Sequence, residues 1–146
     1  MKRPFSFFIL TIVLSACGTD QSKLPENELL PGPSLPTVTE TFTGLLPCND
    51  CPGIRTSLTL FPDSLAYRMT ENYSISGDND SAKSRSGIFQ IEYGLGEDSL
   101  AVVVRIDPTS AQPGFFLLLG DSALEKLDST RNRQDSPLAY RLRKIR

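Results

Sequence analysis

Two alternating segments and a cysteine pair meet in Phe42-Thr-Gly-Leu-Leu-Pro-Cys-Asn-Asp-Cys-Pro-Gly-Ile-Arg-Thr-Ser-Leu-Thr-Leu60. Alternation of apolar and polar residues is typical of β-strands that bury one face. A proline precedes Cys48 and a Pro-Gly dipeptide follows Cys51, and such residues end strands. The pair is therefore predicted to lie in a stiff loop between two strands, and not at the start of a helix as in thioredoxin-type oxidoreductases.

Short alternating segments separated by turn residues continue to the end of the chain, which predicts an all-β domain over residues 38–146. We expect a small antiparallel barrel of about six to eight strands, with successive strands paired as neighbours. Residues 74–87 are polar and predict a long mobile loop. The predicted strands are at residues 39–46, 54–61, 65–73, 89–93, 100–106, 115–119, 124–127 and 138–143.

The composition excludes several kinds of chemistry. The chain has no histidine, which excludes a Ser-His-Asp triad, a Cys-His pair and any metal site that needs imidazole. Without Lys2 and Arg3, thirteen basic residues oppose seventeen acidic ones, a net charge of −4 that argues against a nucleic-acid partner. Six basic residues between 131 and 146 predict a solvated strand face or, as an alternative, a patch for anionic lipid or an acidic partner.

The first 37 residues are predicted to deliver and tether the domain. Residues 1–16 have a basic start, a short apolar run and small residues before Cys17, as a secretory signal does. Leu-Ser-Ala-Cys resembles the bacterial lipobox, which implies acylation of Cys17 and anchoring in a membrane. Gly18 after the cysteine implies the outer membrane by the enterobacterial sorting rule, and the proline-rich residues 17–37 predict a flexible tether.

Three interpretations of Cys48 and Cys51 remain open from the residues alone. Export to an oxidising compartment favours a structural disulfide. Two thiolates are also ligands for Cu(I), and Met69 is the only methionine beyond the signal segment that could add a thioether. The third interpretation is a redox sensor, because a solvent-accessible thiol pair can exchange with other disulfides.

The block Thr43-Gly-Leu-Leu-Pro-Cys-Asn-Asp-Cys-Pro-Gly-Ile54 resembles the N-terminal domain of the NlpE family of envelope lipoproteins. A second similar segment runs from Gly120 to Asp128 and is followed by Tyr140-Arg-Leu142. The resemblance implies a lipocalin-like barrel that faces the periplasm or the cell surface. It also implies a role in copper resistance, or in reporting envelope stress to a sensor kinase of the Cpx type, with Cys48 and Cys51 as the family's Cys-x-x-Cys pair.

Our leading functional hypothesis is a non-enzymatic outer-membrane lipoprotein that acts in copper resistance or envelope-stress signalling through the cysteine loop. The first alternative is a lipocalin-like carrier of a small apolar ligand, with Tyr67, Phe89, Tyr93 and Phe116 lining the barrel. The second is a structural lipoprotein without a ligand, in which the cysteines only fix a turn.

Overall fold

Eight antiparallel strands form a closed barrel in the computed structural model, which describes residues 37–73 and 81–146. Each strand pairs with its neighbour in sequence, and the last pairs with the first. This confirms the predicted all-β barrel. The strands are β1 (Glu40–Leu46), β2 (Ile54–Phe61), β3 (Ala66–Tyr73), β4 (Ser81–Leu95), β5 (Asp98–Ile106), β6 (Gly114–Leu119), β7 (Ala123–Lys126) and β8 (Arg141–Lys144).

Alternation along the strands fills the barrel interior with apolar side chains. On β2 the buried residues are Thr56, Leu58 and Leu60, whereas their neighbours are partly or fully exposed. The same period of two directs Tyr67 and Met69 of β3 inward. The interior cluster consists of Phe42, Leu46, Leu58, Leu60, Tyr67, Met69, Phe89, Val102, Val104, Ile106, Phe116, Leu118, Leu124 and Leu142.

A second apolar cluster lies on the outer side of β5 and β6. It contains Ala101, Val103, Phe115, Leu117 and Leu127, so these two strands bury both faces. The guanidinium carbons of Arg105 and Arg131 lie 5.7 and 5.9 Å from the centre of the Phe115 ring. Arginine stacking over an aromatic ring shields apolar surface while the charge keeps contact with solvent.

Strand β4 is longer than the sequence predicts. Residues 81–87 are part of a strand that pairs with β3 from Tyr73↔Ser81 to Tyr67↔Gly87, so the prediction of a loop there is wrong. Ser81 to Ser86 are exposed, which leaves no apolar alternation to mark the strand. Backbone pairing with β3 holds this part of the ladder, because strand hydrogen bonds do not depend on buried side chains. The remainder of the predicted loop, residues 74–80, lies outside the described residues.

The closing strand is shorter than predicted and covers only Arg141–Lys144. Residues 137–140 form a 3-10 turn, so Leu138 and Tyr140 do not alternate with Leu142 in a strand, and Leu138 is 73% exposed. Pro137 opens the turn because its fixed φ suits the first position of a helical turn. Leu65 likewise lies in a turn, in left-handed conformation, and not on the face of β3.

The predicted signal segment, the acylation site Cys17 and the tether up to residue 36 lie outside the described residues. Within residues 37–73 and 81–146, no helix has the length and apolar character that a bilayer crossing requires.

Candidate functional site

The cysteine pair closes the loop between β1 and β2. Cys48 and Cys51 form a disulfide, with their Cα atoms 5.3 Å apart. Leu46 pairs directly with Ile54, so the intervening residues leave the end of the barrel and return at the same point. The loop is not helical, which confirms the sequence prediction.

Local sequence explains why the chain adopts this loop. Gly53 has a φ of +154°, and a Cβ atom built there would lie 2.8 Å from the Leu45 side chain. A larger residue would therefore be both conformationally strained and crowded. Asn49, Asp50 and both flanking prolines are exposed, while the two cysteines are half-buried. The disulfide thus holds a projecting surface loop.

The structure does not bring Met69 to the cysteine pair. Met69 pairs with Leu58, four residues into β2 from the end that bears the loop, which is roughly 13 Å along a strand. Its side chain is buried in the interior, with Sδ 3.8 Å from Arg85 Nη2. No group of three or more cysteine or carboxylate side chains suited to a metal occurs in the described part of the chain.

The oxidised pair does not fit a Cu(I) ion. Cu(I) is bound by thiolates and thioethers, and a disulfide offers no thiolate. A copper role for Cys48 and Cys51 therefore requires their reduction first. The loop in its present form is a covalent clasp with an exposed surface.

Three of the four aromatic residues predicted to line a ligand cavity are packed in the core. Tyr67, Phe89 and Phe116 belong to the interior cluster, whereas Tyr93 is 66% exposed near the bulge of β4. Two surface cavities within the described residues, of about 580 and 390 Å³, are lined by other residues. The carrier hypothesis gains no support from these positions.

Tyr67 takes part in a polar contact that the sequence does not reveal. Its hydroxyl donates a hydrogen bond to Asp107 Oδ2 at 2.5 Å, and Arg85 Nη1 lies 3.8 Å from the same oxygen. Burial, and then this hydrogen bond, raise the pKa of Tyr67 to about 12. Tyr67 lies in β3, Arg85 in β4 and Asp107 directly after β5, so only the barrel brings them together.

Glu125 is a second polar group whose role the sequence hides. It is fully buried on β7 and accepts two hydrogen bonds of 2.7 Å from Nε and Nη2 of Arg133. Arg141 Nη2 lies 3.7 Å from the same carboxylate. The hydrogen bonds to Glu125 raise the pKa of Arg133. A buried carboxylate needs such partners, but Leu-Glu-Lys-Leu in the sequence gives no sign that its glutamate is buried.

The basic run from residue 131 is only partly the solvated strand face that the sequence predicts. Arg131 and Arg133 lie in the connection between β7 and β8. Arg131 bonds to the Gly94 carbonyl at 2.9 Å and pairs with Glu92 at 3.3 Å. Arg143 and Arg146, by contrast, are exposed. The run therefore divides into cations that hold the connection in place and cations that face solvent.

The chain was compared with curated proteins, with solved structures and with protein-family models. No curated protein matches the chain. A crystal structure of a candidate lipoprotein from Shewanella oneidensis is 25% identical, with a TM-score of 0.52, over 71% of this chain and 85% of that one. The crystal structure of the Cpx pathway activator NlpE from Escherichia coli is 29% identical, with a TM-score of 0.48. That match covers 66% of this chain and 45% of the Escherichia coli chain.

The family model of the NlpE N-terminal domain matches residues 42–137. This range begins in β1 and ends where the 3-10 turn before β8 starts. It includes the disulfide loop and about two thirds of the chain. The chain therefore belongs to the NlpE family, through that family's N-terminal domain.

Proposed function

We propose that this chain is a non-catalytic, lipid-anchored protein of the cell envelope that takes part in envelope-stress signalling through its disulfide loop. The observation that carries the proposal is the Cys48–Cys51 disulfide in an exposed loop at one end of a closed barrel. Family membership and the lipobox-like segment before Cys17 support the envelope location.

The small contribution of the disulfide to stability supports a role beyond a structural clasp. By the chain-entropy estimate, a ring of four residues stabilises the folded state by about 2 kcal/mol. The barrel closes through the ladder between β8 and β1 without help from this bond. Reduction would therefore change the shape of the loop while the barrel persists, so the disulfide-closed loop is the form that signals and its reduction ends the signal.

Because the loop is exposed, other proteins can reach its disulfide. The half-buried residues Cys48 and Cys51 lie beside exposed Asn49 and Asp50. A dithiol protein of the envelope can attack one sulfur and form a mixed disulfide, and its second thiol then releases the reduced pair. Two electrons and two protons pass to Cys48 and Cys51, and the attacking protein becomes a disulfide.

The test is a reporter of Cpx-type envelope stress in a bacterium that produces the full chain. We expect the response to production of the chain to be abolished in the Cys48→Ser/Cys51→Ser variant. Ile106→Val is the matched control, because it costs roughly 0.5–1.5 kcal/mol in the core without touching the loop. A response that persists in the double-serine variant at equal protein levels would contradict the proposal.

The same strains separate signalling from copper resistance. Growth in copper salts is measured beside the reporter, for the wild-type chain and both variants. The double-serine variant could lose copper tolerance and keep its reporter response. That result would show that the loop acts in copper resistance and not in stress signalling. We expect equal copper tolerance in all strains and a reporter response that is lost in the double-serine variant alone.

A further inference from the structure

A surface pocket between β7 and β8 carries a concentration of positive charge. Its volume is about 580 Å³, within the range of small-ligand sites. It lies beside the turn that leads into β7, and β8 forms its other side. Its cationic lining consists of Arg141, Arg143, Lys144 and Arg146. We call this cavity the β8 pocket.

The backbone around the β8 pocket is fixed by pairing on both sides of β8. Ala123 of β7 pairs with Arg143, and the Lys144 amide donates to the Ser122 carbonyl at 2.8 Å. On the other side, the Ile145 amide donates to the Thr41 carbonyl at 2.9 Å. Three of the four cations in the lining are therefore carried by β8, which positions side chains more precisely than a free tail does, and Arg146 follows directly after this strand.

The charges in the β8 pocket are only partly neutralised. Lys144 Nζ lies 2.6 Å from Glu40 Oε1, and Arg141 shares Glu125 with Arg133. Asp121 is the one carboxylate in the pocket lining. Among residues 37–73 and 81–146, neither Arg143 nor Arg146 forms an ion pair. Two guanidinium groups are thus available to a ligand.

Guanidinium groups bind both carboxylate and phosphate groups, and a phosphate monoester offers more charge and more acceptor oxygens than a carboxylate. Their planar N–H donors match phosphate oxygens in pairs, and a phosphate monoester carries a charge of about −1.5 to −2 at pH 7. The Ser122 hydroxyl in the lining adds a neutral hydrogen-bonding group. Leu119 and Ala123 give the pocket an apolar wall, which suits a phosphate attached to a larger group.

We propose that the β8 pocket binds a phosphate group, carried either by a free phosphate compound or by a lipid headgroup. The site is at the β7–β8 edge and does not depend on the cysteine loop. Its failure would therefore leave the signalling proposal intact. Binding depends mainly on charge and should weaken as salt is raised.

The test uses residues 17–146 with Cys17→Ser, so that neither an acyl chain nor the apolar signal segment contributes to membrane binding. Inorganic pyrophosphate is titrated by calorimetry at low ionic strength. Sedimentation with vesicles of phosphatidylglycerol and phosphatidylcholine, and of phosphatidylcholine alone, tests the headgroup.

The pocket variant is Arg143→Ala/Arg146→Ala. The matched control, Arg55→Ala/Arg68→Ala, removes two exposed arginines of β2 and β3, away from this pocket. Circular dichroism checks that both variants fold.

We expect the pocket variant to bind pyrophosphate or anionic vesicles at least about tenfold more weakly, because it loses charge-assisted hydrogen bonds. The control should bind as the parent does. Pyrophosphate binding assigns the site to free phosphate compounds, and binding to anionic vesicles alone assigns it to a headgroup. The proposal would be overturned if neither probe bound, or if the control lost as much binding as the pocket variant. Tighter binding of polyglutamate than of both probes would also overturn it.

Discussion

Tyr67 combines a side chain that is only 1% exposed with a hydroxyl that donates to Asp107. Tyrosine in the unfolded chain loses its proton near pH 10, whereas burial and the Asp107 bond raise the pKa of Tyr67 in the folded chain to about 12. Between these values the unfolded state binds fewer protons than the folded state. The stability that this tyrosine contributes is therefore complete below pH 10 and is lost as pH rises towards 12.

We expect Tyr67→Phe to remove this alkaline step. Absorbance of tyrosinate should show one tyrosine titrating near pH 12 in the wild-type chain, and this step should be absent from the variant. Urea unfolding from pH 9 to 11.5 should show the stability difference between wild type and variant shrinking above pH 10. A difference that stays constant over this range would contradict the assignment to Tyr67.

Arg133 and Glu125 are not equivalent partners, because their exposures differ. The Glu125 side chain is fully buried, whereas the Arg133 side chain is 49% exposed. Removing Arg133 leaves a buried carboxylate with Arg141 at 3.7 Å as its remaining cation, and an unpaired buried charge is costly. Removing Glu125 leaves guanidinium groups that can turn to solvent.

We therefore expect Arg133→Met to destabilise the fold by roughly 2–4 kcal/mol and Glu125→Gln by less. Urea unfolding at pH 7 measures both free energies of unfolding. Arg143→Met, an exposed arginine of β8 outside this ion pair, is the control and should change stability by under about 0.5 kcal/mol. The reverse order, with Glu125→Gln the more damaging, would show that Arg133 does not compensate this carboxylate.

The two halves of β4 differ in their pairing partners and in their exposure. Its first half pairs with β3 and is exposed, and its second half pairs with β5 and contributes Phe89 to the core. Strand β5 pairs with β4 and, from Val103 to Ile106, also with β6. It is buried on both faces from Ala101 to Val104. Local opening should therefore be far easier at the start of β4 than in β5.

Hydrogen exchange tests this difference between elements. We expect hydrogen-bonded amides of Val102 to Val104 to exchange at least about 100-fold more slowly than those of Ser81 to Ser86. Mass spectrometry of overlapping peptides, or NMR, gives the two sets of rates. Equal protection in both sets would mean that the whole barrel opens as one unit.

The barrel is closed by the pairing of its last strand, β8, with its first, β1. Strand β8 pairs with β1 at only two positions, Phe42↔Lys144 and Thr43↔Arg143. The next residue of β1, Gly44, faces the start of β8 so closely that a Cβ atom there would lie 2.5 Å from the Arg141 carbonyl oxygen. Close backbone approach of this kind requires glycine.

We expect Gly44→Ala to weaken barrel closure and to cost roughly 1–3 kcal/mol, because backbone and not a flexible side chain must move. Urea unfolding measures this cost, and peptide hydrogen exchange should show faster exchange confined to β1 and β8. Ser57→Ala, which alters the β2 residue paired with Thr43, is the control and should have little effect. Unchanged stability in Gly44→Ala would show that the closure adapts.

The sequence by itself determined the all-β class and the loop that carries Cys48 and Cys51. These depend on local alternation and on proline and glycine, which act over a few residues. The tertiary structure alone decided the pairing of residues 81–87, the turn at 137–140, the burial of Glu125 and the contact of Tyr67 with Asp107. Each of these depends on partners from other strands, and local pattern carries no information about which strand will supply them.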